Sequence, residues 1–350
     1  MEKNSKIFIA GHRGMVGSAI TRELQRQGYT RLLTRTHAQL DLTRQAEVEA
    51  FFEQERPDYV FLAAARVGGI LANSTYTADF IYQNIMIAAN VINSAYKFKV
   101  EKLLNLGSTC IYPKHAPQPM KEEHLLTGAL EPTNEAYAVA KISAIKLCRY
   151  YNEQYGTNFL SVMPTNLYGI GDNYNLEGSH LLPAFIRKFH LAKLWRAGDV
   201  SAVRADFERR GAPKGFSLAN DPAEALLSAG ITAECVTLWG TGTPCRELLY
   251  ADDLAQACVF LMQTRQAKEL GEFVNVGTGQ DMPICQIAEL VKTVIGFEGA
   301  IAWNPAKPDG TPKKLADVSR INALGWKAAT ALKDGILAAY NDYLKALPLS

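Results

Sequence analysis

Tyr137 and Lys141 stand four residues apart in the run Glu135-Ala136-Tyr137-Ala138-Val139-Ala140-Lys141-Ile142. The run is rich in Ala with Lys and Ile, which favours helix. On a helix, residues i and i+4 are neighbours on one face. The spacing therefore sends a phenol and an ammonium into the same space. A nearby cation favours phenolate, so the pair predicts a lowered tyrosine pKa. A tyrosine poised in this way can give a proton to a carbonyl oxygen while hydride reaches the carbon, which is general acid catalysis. The pair alone is a weak signal. A surface helix with an unrelated Tyr and Lys has the same spelling, and about one such pair arises by chance in a chain of this size. Its weight comes from what lies on either side.

Upstream, Gly11-His12-Arg13-Gly14-Met15-Val16-Gly17 follows the apolar run Ile7-Phe8-Ile9-Ala10 and precedes a helical pattern reaching about Gly28. Strand, glycine turn and helix are the context in which such a loop binds a pyrophosphate. Glycines let the backbone turn tightly and approach the phosphates, which then sit at the helix N-terminus. The spacing here is G-x-x-G-x-x-G. Arg31-Leu32-Leu33-Thr34 reads as the second strand, closed by Arg35. In dinucleotide folds that position meets the adenosine ribose; an acidic residue suits a free 2′-hydroxyl and an arginine suits a 2′-phosphate. Arg35, with Arg13 as a second clamp, therefore favours NADP over NAD. Asp41 and Leu42, after a weak strand, are placed to flank the adenine. Tyr59-Val60-Phe61-Leu62-Ala63-Ala64-Ala65 is a buried strand. Arg66-Val67-Gly68-Gly69-Ile70 is the loop beyond its carboxyl end, where ligands bind in open parallel sheets.

The elements that must position these groups alternate. Helices are expected over residues 43–56, about Tyr76–Lys97 and from Tyr137 to about Tyr155. Strands are expected at Leu103–Leu106 and Phe159–Met163. This alternation over the first 170 residues predicts a right-handed, doubly wound parallel sheet of Rossmann type. Beyond Gly169 the pattern weakens. A smaller C-terminal α/β substrate domain is expected from 171–235 and 266–350, with 236–265 returning to the first domain. Within it, Leu181–Lys193, a stretch around Pro222–Ala229, Ile284–Ile295 and Leu332–Leu344 read as helices, and Lys307–Lys314 as a basic loop. The 350 residues are 48% hydrophobic and 21% charged with a net charge of +2, which fits a globular protein and gives no field for nucleic acid. The six cysteines are scattered with no C-x-x-C pair, which fits a reducing cytoplasmic setting and argues against a zinc site. No apolar run approaches the ~18 residues of a membrane span.

With Ser108 and Tyr137-x-x-x-Lys141 placed after the glycine loop, the chain resembles the extended short-chain dehydrogenase/reductase superfamily. Within it, the chain resembles the GDP-L-fucose synthase family. That resemblance rests on Gly11–Ile20, Gly107-Ser108-Thr109-Cys110-Ile111-Tyr112-Pro113, Glu131–Tyr137, Pro164-Thr165-Asn166-Leu167-Tyr168-Gly169 and Pro308–Lys314, and so covers nearly the whole chain. It implies NADPH-dependent 3,5-epimerisation and then 4-reduction of GDP-4-keto-6-deoxy-D-mannose, giving GDP-L-fucose. Residue by residue, it implies Tyr137 as the acid of the reduction, with Lys141 tuning it and holding the nicotinamide ribose. Ser108 would hydrogen-bond the 4-keto oxygen. Cys110 would be the epimerisation base and His180 the epimerisation acid. It also implies Gly11, Arg13, Gly14, Met15, Val16, Gly17, Arg35, Asp41, Leu42, Ala64, Ala65, Lys141, Pro164, Asn166, Leu167 and His180 at the cofactor, and Arg187, Trp239, Arg246 and Lys307 near the GDP.

The chemistry is coherent. A 4-ketone acidifies the protons on C3 and C5, and inverting a centre needs a base on one face and an acid on the other. A thiolate near a cation can be that base, and histidine titrates near neutrality and can be the acid. Blander roles exist for each: a small buried hydrophobe for Cys110, a loop histidine for His180, core for Trp239, a salt bridge for Arg246. An epimerase/reductase on another GDP-4-keto sugar (a 6-deoxyheptose or a 3,6-dideoxy sugar) would carry the same motifs. A 4-epimerase without net redox is opposed by the pairing of Cys110 with His180 and by Arg35, and a non-catalytic NADP sensor by the presence of Ser108, Tyr137 and Lys141 together. The resemblance further implies a homodimer built on the Tyr76–Lys97 and Tyr137–Tyr155 helices. Thr109, where a second serine is usual, and the long Val200–Thr232 segment are the departures from the pattern.

Overall fold

The computed structural model describes residues 1–217, 221–307 and 309–345, without the side chains of Ile70 and Leu71. Pro308 of the expected basic loop, part of the expected 200–232 segment and the Ile70 side chain thus lie outside the described residues. Cα packing divides the chain into two compact units. The first holds Met1–Leu167, Glu247–Gln280 and Leu315–Thr330; the second holds Tyr168–Arg246, Asp281–Lys314 and the chain from Ala331.

The first unit is a doubly wound Rossmann-type α/β layer. Strands β1 (Ile7–Ala10), β2 (Leu32–Leu33), β3 (Tyr59–Leu62), β4 (Lys102–Leu106) and β5 (Phe159–Pro164) are joined by a sixth, Val274–Val276. They form one sheet in the order β2-β1-β3-β4-β5-Val274–Val276, parallel throughout. Apart from β2, every residue of these strands is buried. That explains their near-continuous apolar runs, since a parallel sheet is covered on both faces. On one face α1 (Met15–Arg26) and the Ala251–Thr264 helix pack a core with Ile7, Ile9, Leu104, Leu160 and Val274. On the other, α2 (Gln45–Glu55), α4 (Thr77–Lys97) and α5 (Glu135–Tyr155) pack against Phe8, Val60, Leu103 and Phe159. The short helix α3 (Ile70–Thr75) lies in the loop before α4.

Three expectations are corrected. The second strand is only two residues long, and the weak strand before Asp41 is a turn. Residues 266–280 and 315–330 belong to the first unit and 236–246 to the second. Strand pairing is the reason for the first of these shifts: Val274–Val276 completes the main sheet by bonding beside Val162–Pro164. Three residues so far along the chain carry no periodic signal that they pair with β5.

The strand order reverses between β1 and β3, so the ligand-binding switch point of an open α/β sheet lies at their carboxyl ends. Gly11 is there, at φ +86°, and a Cβ on it would sit 2.7 Å from the Ala64 nitrogen. A Cβ on Gly17 would sit 2.1 Å from the Gly11 carbonyl oxygen. One glycine thus supplies the left-handed turn and the other the close packing of α1 on that turn.

The second unit contains the parallel pair Cys235–Trp239 and Ala300–Asn304. Its helices include Leu181–Arg196, Pro222–Ser228, Ile284–Ile295 and Leu332–Leu344. The charged start of the 200–232 segment is a helix, Val200–Arg210, capped by the Asp199 side chain on the Ala202 N–H. The Lys307–Lys314 loop ends in a two-residue strand, Lys313–Lys314, that pairs with Cys245–Arg246. Among the described residues, no helix is long and apolar enough to cross a membrane. Gly17→Ala is expected to cost about 1–3 kcal/mol through the forced shift of α1, read as a lower urea midpoint at unchanged m-value.

Candidate active site

In the first unit Ser108, Cys110, Tyr137 and Lys141 are gathered at the end of β4. The Gly107 N–H donates to the Val162 carbonyl at 2.8 Å, and a Cβ on Gly107 would lie 2.2 Å from Met163. A side chain at this position would have to push the Met163 thioether aside. Ser108 then caps a single 3-10 turn, Thr109–Ile111, accepting from the Cys110 N–H at 3.4 Å. Cys110 is 7% exposed and is not in a disulfide.

Helix α5 brings Tyr137 and Lys141 to this turn. It begins after Asn134 and ends at Gly156, which takes the left-handed conformation and bonds back to Asn152. The Lys141 ammonium donates to the Leu106 carbonyl at 2.8 Å, at the last residue of β4. It also lies 5.7 Å from the centroid of the Tyr137 ring, as the i, i+4 spacing requires. The edge of Phe80 meets that ring at 6.3 Å and 78°. Burial pushes the Lys141 pKa down to about 8, opposed by the charge of Cys110. The expected lowering of the Tyr137 pKa is not found. Burial pushes it up, and Cys110 adds to the rise. Desolvation of the phenolate outweighs the cation, so Tyr137 is protonated at neutral pH, the state required of a proton donor. Cys110 packs in the same buried cluster as the Tyr137 ring.

The residues expected at a dinucleotide are consistent with one. Gly14 precedes α1, has no side-chain cap and is followed by no acidic residue in the first turn. The N–H groups at this helix end, with Met15 and Val16, are thus left for an anion. Arg35 is held ready: its guanidinium donates to Glu55 at 2.6 Å and to the Thr34 carbonyl, and lies 5.3 Å from the Phe51 ring centroid. Arg13 is exposed on the loop. Asp41 closes a local turn by accepting from the Thr43 N–H and hydroxyl, and the Leu42 carbonyl accepts from Asn90 at 2.9 Å. Ala64 and Ala65 follow β3, and the chain just beyond them is fixed by buried Asn84, which bonds both backbone groups of Arg66. Pro164 pairs with Val276, Asn166 donates to the Glu247 carbonyl at 2.9 Å, and Leu167 packs on the core.

In the second unit, His180 stands at the N-cap of the Leu181–Arg196 helix. Its pKa is pushed down by its surroundings first and by Lys314 second. Trp239 is 61% exposed, with the Lys307 ammonium 5.2 Å from its ring centroid. Such a flat, cation-flanked face suits stacking of a base. Arg246 donates to the Cys245 and Thr311 carbonyls, both at 2.7 Å, which aims its guanidinium along the 307–314 loop. That loop is anchored as well as basic: Asp309 accepts from the Thr241 N–H and hydroxyl.

Arg187 is the correction. It is 0% exposed, and its nitrogens donate to Asp206 and to the carbonyls of Tyr174, Arg210 and Gly211. This guanidinium is spent inside the second unit, on a carboxylate that also accepts from the Tyr343 hydroxyl. It has no fork left for a diphosphate.

The chain matches the NAD dependent epimerase/dehydratase family over residues 7–206 and 220–277. It belongs to that family. It is 53% identical to GDP-L-fucose synthase 1 of Arabidopsis thaliana, over 98% of this chain and 94% of that protein. It is 45% identical to GDP-L-fucose synthase of Escherichia coli K12, over 97% of each. Among solved structures it is similar to a GDP-D-glycero-L-gluco-heptose synthase from Campylobacter jejuni, crystallised in the presence of NADPH: TM-score 0.87, 40% identity, 98% of each chain.

For this epimerase/dehydratase family member, sequence reasoning passed over Lys188, next to Arg187. Lys188 is 7% exposed, and among the described residues its ammonium donates only at 3.3 Å, to the Thr237 carbonyl. Burial pushes its pKa down to about 8. A buried ammonium this poorly partnered is a better anion site than Arg187. Nothing local separates the two cations, because the Asp206 that occupies Arg187 lies 19 residues away. Arg187→Ala strands that carboxylate and is expected to cost about 3–5 kcal/mol, read by urea unfolding, whereas Lys188→Met is expected to be neutral or stabilising.

Proposed function

We propose that the chain is an NADPH-dependent enzyme that epimerises GDP-4-keto-6-deoxy-D-mannose at C3 and C5 and then reduces C4, yielding GDP-L-fucose. The observation that carries this reading is the packing of buried Cys110 and the Tyr137 ring in one cluster, at the strand end to which Lys141 is bonded. A simple ketone reductase needs the phenol and the ammonium but no thiol beside them. NADPH, when bound, supplies the hydride. Ser108 and Tyr137 hydrogen-bond the C4 oxygen, and the Tyr137 phenol gives its proton as hydride arrives. Lys141, anchored on the Leu106 carbonyl, orients the nicotinamide ribose and stabilises the phenolate left behind. For epimerisation the same hydrogen bonds stabilise an enolate, Cys110 removes the proton at C3 or C5, and His180 returns one from the opposite face. Arg35 and Arg13 take the 2′-phosphate. Lys188 and Arg246 bind the diphosphate, and Trp239 with Lys307 stacks on the guanine.

A second reading is the same chemistry on a GDP-4-keto-heptose, supported by the 40% identity to the heptose synthase. The higher identity to the plant synthase favours the fucose route. Product mass and sugar stereochemistry from purified enzyme, NADPH and each keto-sugar decide between them. We also propose a cytoplasmic setting, which fits six cysteines without a disulfide; fractionation of cells into cytosol and membrane tests it. A homodimer through α4 and α5 is our reading for their outer faces, where Tyr82 is 62% and Tyr150 54% exposed. Light scattering at micromolar concentration should give about twice the 38.5 kDa chain mass, and a monomer overturns it.

Four further outcomes are expected. Cys110→Ser should stop deuterium exchange from D₂O into C3 and C5 of the keto-sugar, while Tyr137→Phe should retain exchange and lower NADPH oxidation by ~10²–10⁴. Lys188→Met should raise KM for the GDP-sugar by roughly 10–100-fold, the loss of a charged hydrogen bond, and Arg35→Ala should lower the NADPH over NADH preference by about tenfold or more. Unchanged values in these variants remove the residues from their assigned roles.

A further inference from the structure

The turn that carries Cys110 is held at both ends. At its start, the Gly107 N–H is bonded to Val162 within the sheet. At its end, Tyr112 is 3% exposed and its hydroxyl donates to Asn275 Oδ1 at 2.6 Å. Asn275 is the middle residue of the sixth sheet strand and is 0% exposed. Its side-chain nitrogen donates to the Met120 carbonyl at 2.9 Å and the Asp317 carbonyl at 3.2 Å. Its backbone N–H donates to buried Glu122 at 3.0 Å. The two carbonyl acceptors fix which end of the amide carries hydrogen, so the oxygen must face Tyr112. Phe273, on the same stretch, lies 6.3 Å from the Tyr112 ring.

We propose that Asn275 and Tyr112 are positioning residues for the epimerase half of the reaction. They latch the far end of the 108–112 turn to the sheet and so fix the place of Cys110. This rests on the reading of Cys110 as the base. The division of labour follows from the two anchors. Ser108 sits one residue from the sheet-bonded Gly107, and Lys141 has its own tie to Leu106. Cys110 sits two residues from Tyr112. Releasing Tyr112 frees the thiol end of the turn and leaves the hydride apparatus on its own supports. A displacement of about 1 Å at a reacting group can cost as much as 10²-fold in rate.

The test compares two activities on one preparation: deuterium exchange into the keto-sugar, and NADP⁺-dependent oxidation of GDP-L-fucose, which needs no epimerisation. Their ratio is independent of the fraction of folded enzyme. Tyr112→Phe, and Asn275→Ser from the other side, are expected to lower the ratio at least fivefold, with the oxidation rate of the folded fraction within about twofold of the parent. A parallel fall in both activities, or an unchanged ratio, overturns the latch. Cys110→Ser is the control. If it abolishes exchange while Tyr112→Phe leaves the ratio unchanged, the latch alone fails. If it exchanges at the parent rate, the base is another residue and the reading beneath the latch fails.

Discussion

A buried ammonium organises the chemistry of the first unit. Lys141 is 8% exposed and donates to a backbone carbonyl at the end of β4. An ammonium out of water is costly unless hydrogen-bonded, so this bond ties a face of α5 to one residue of the central sheet. The i, i+4 relation then fixes Tyr137 relative to the same strand end. The turn bearing Ser108 and Cys110 grows out of that strand end two residues later. Ser108, Cys110, Tyr137 and the Lys141 cation therefore share one rigid reference, the carboxyl edge of β4. This is where parallel sheets present their ligands.

The same burial sets protonation states. It keeps the Tyr137 proton in place and brings the Lys141 pKa down to about 8. A cation that titrates this close to neutrality responds to neighbouring charge, and Cys110 is the neighbour. In the proposed reaction this single desolvated cluster would serve two steps that share one ketone, deprotonation beside it and hydride delivery to it. The switch point between β1 and β3 adds the cofactor side, through glycines whose neighbours leave no room for a Cβ.

Arg187 and Lys188 show how little a residue type says about its use. Both are buried cations on one helix, about 100° apart around its axis. One meets Asp206 and three carbonyls and becomes part of the interior. The other meets one distant carbonyl and keeps its capacity for an anion. The difference lies in segments brought together by folding.

The sequence by itself determined the layered α/β architecture, the glycine turn, the Tyr137–Lys141 pairing and the family. Each depends on short-range covalent spacing: apolar runs of strand length, glycines three apart, and two residues one helical turn apart. Helix limits such as Ile284–Ile295 and Leu332–Leu344 were legible for the same reason. The strand at Phe273–Val276 reads from its apolar run, but only the tertiary structure decided that Val274–Val276 joins the main sheet beside β5 and that residues 315–330 return to the first unit. It also decided the direction of the Tyr137 pKa, the fate of Arg187 and the Tyr112–Asn275 bond across 163 positions. Burial and hydrogen-bond partners come from residues far apart in the chain, and no local spacing encodes them.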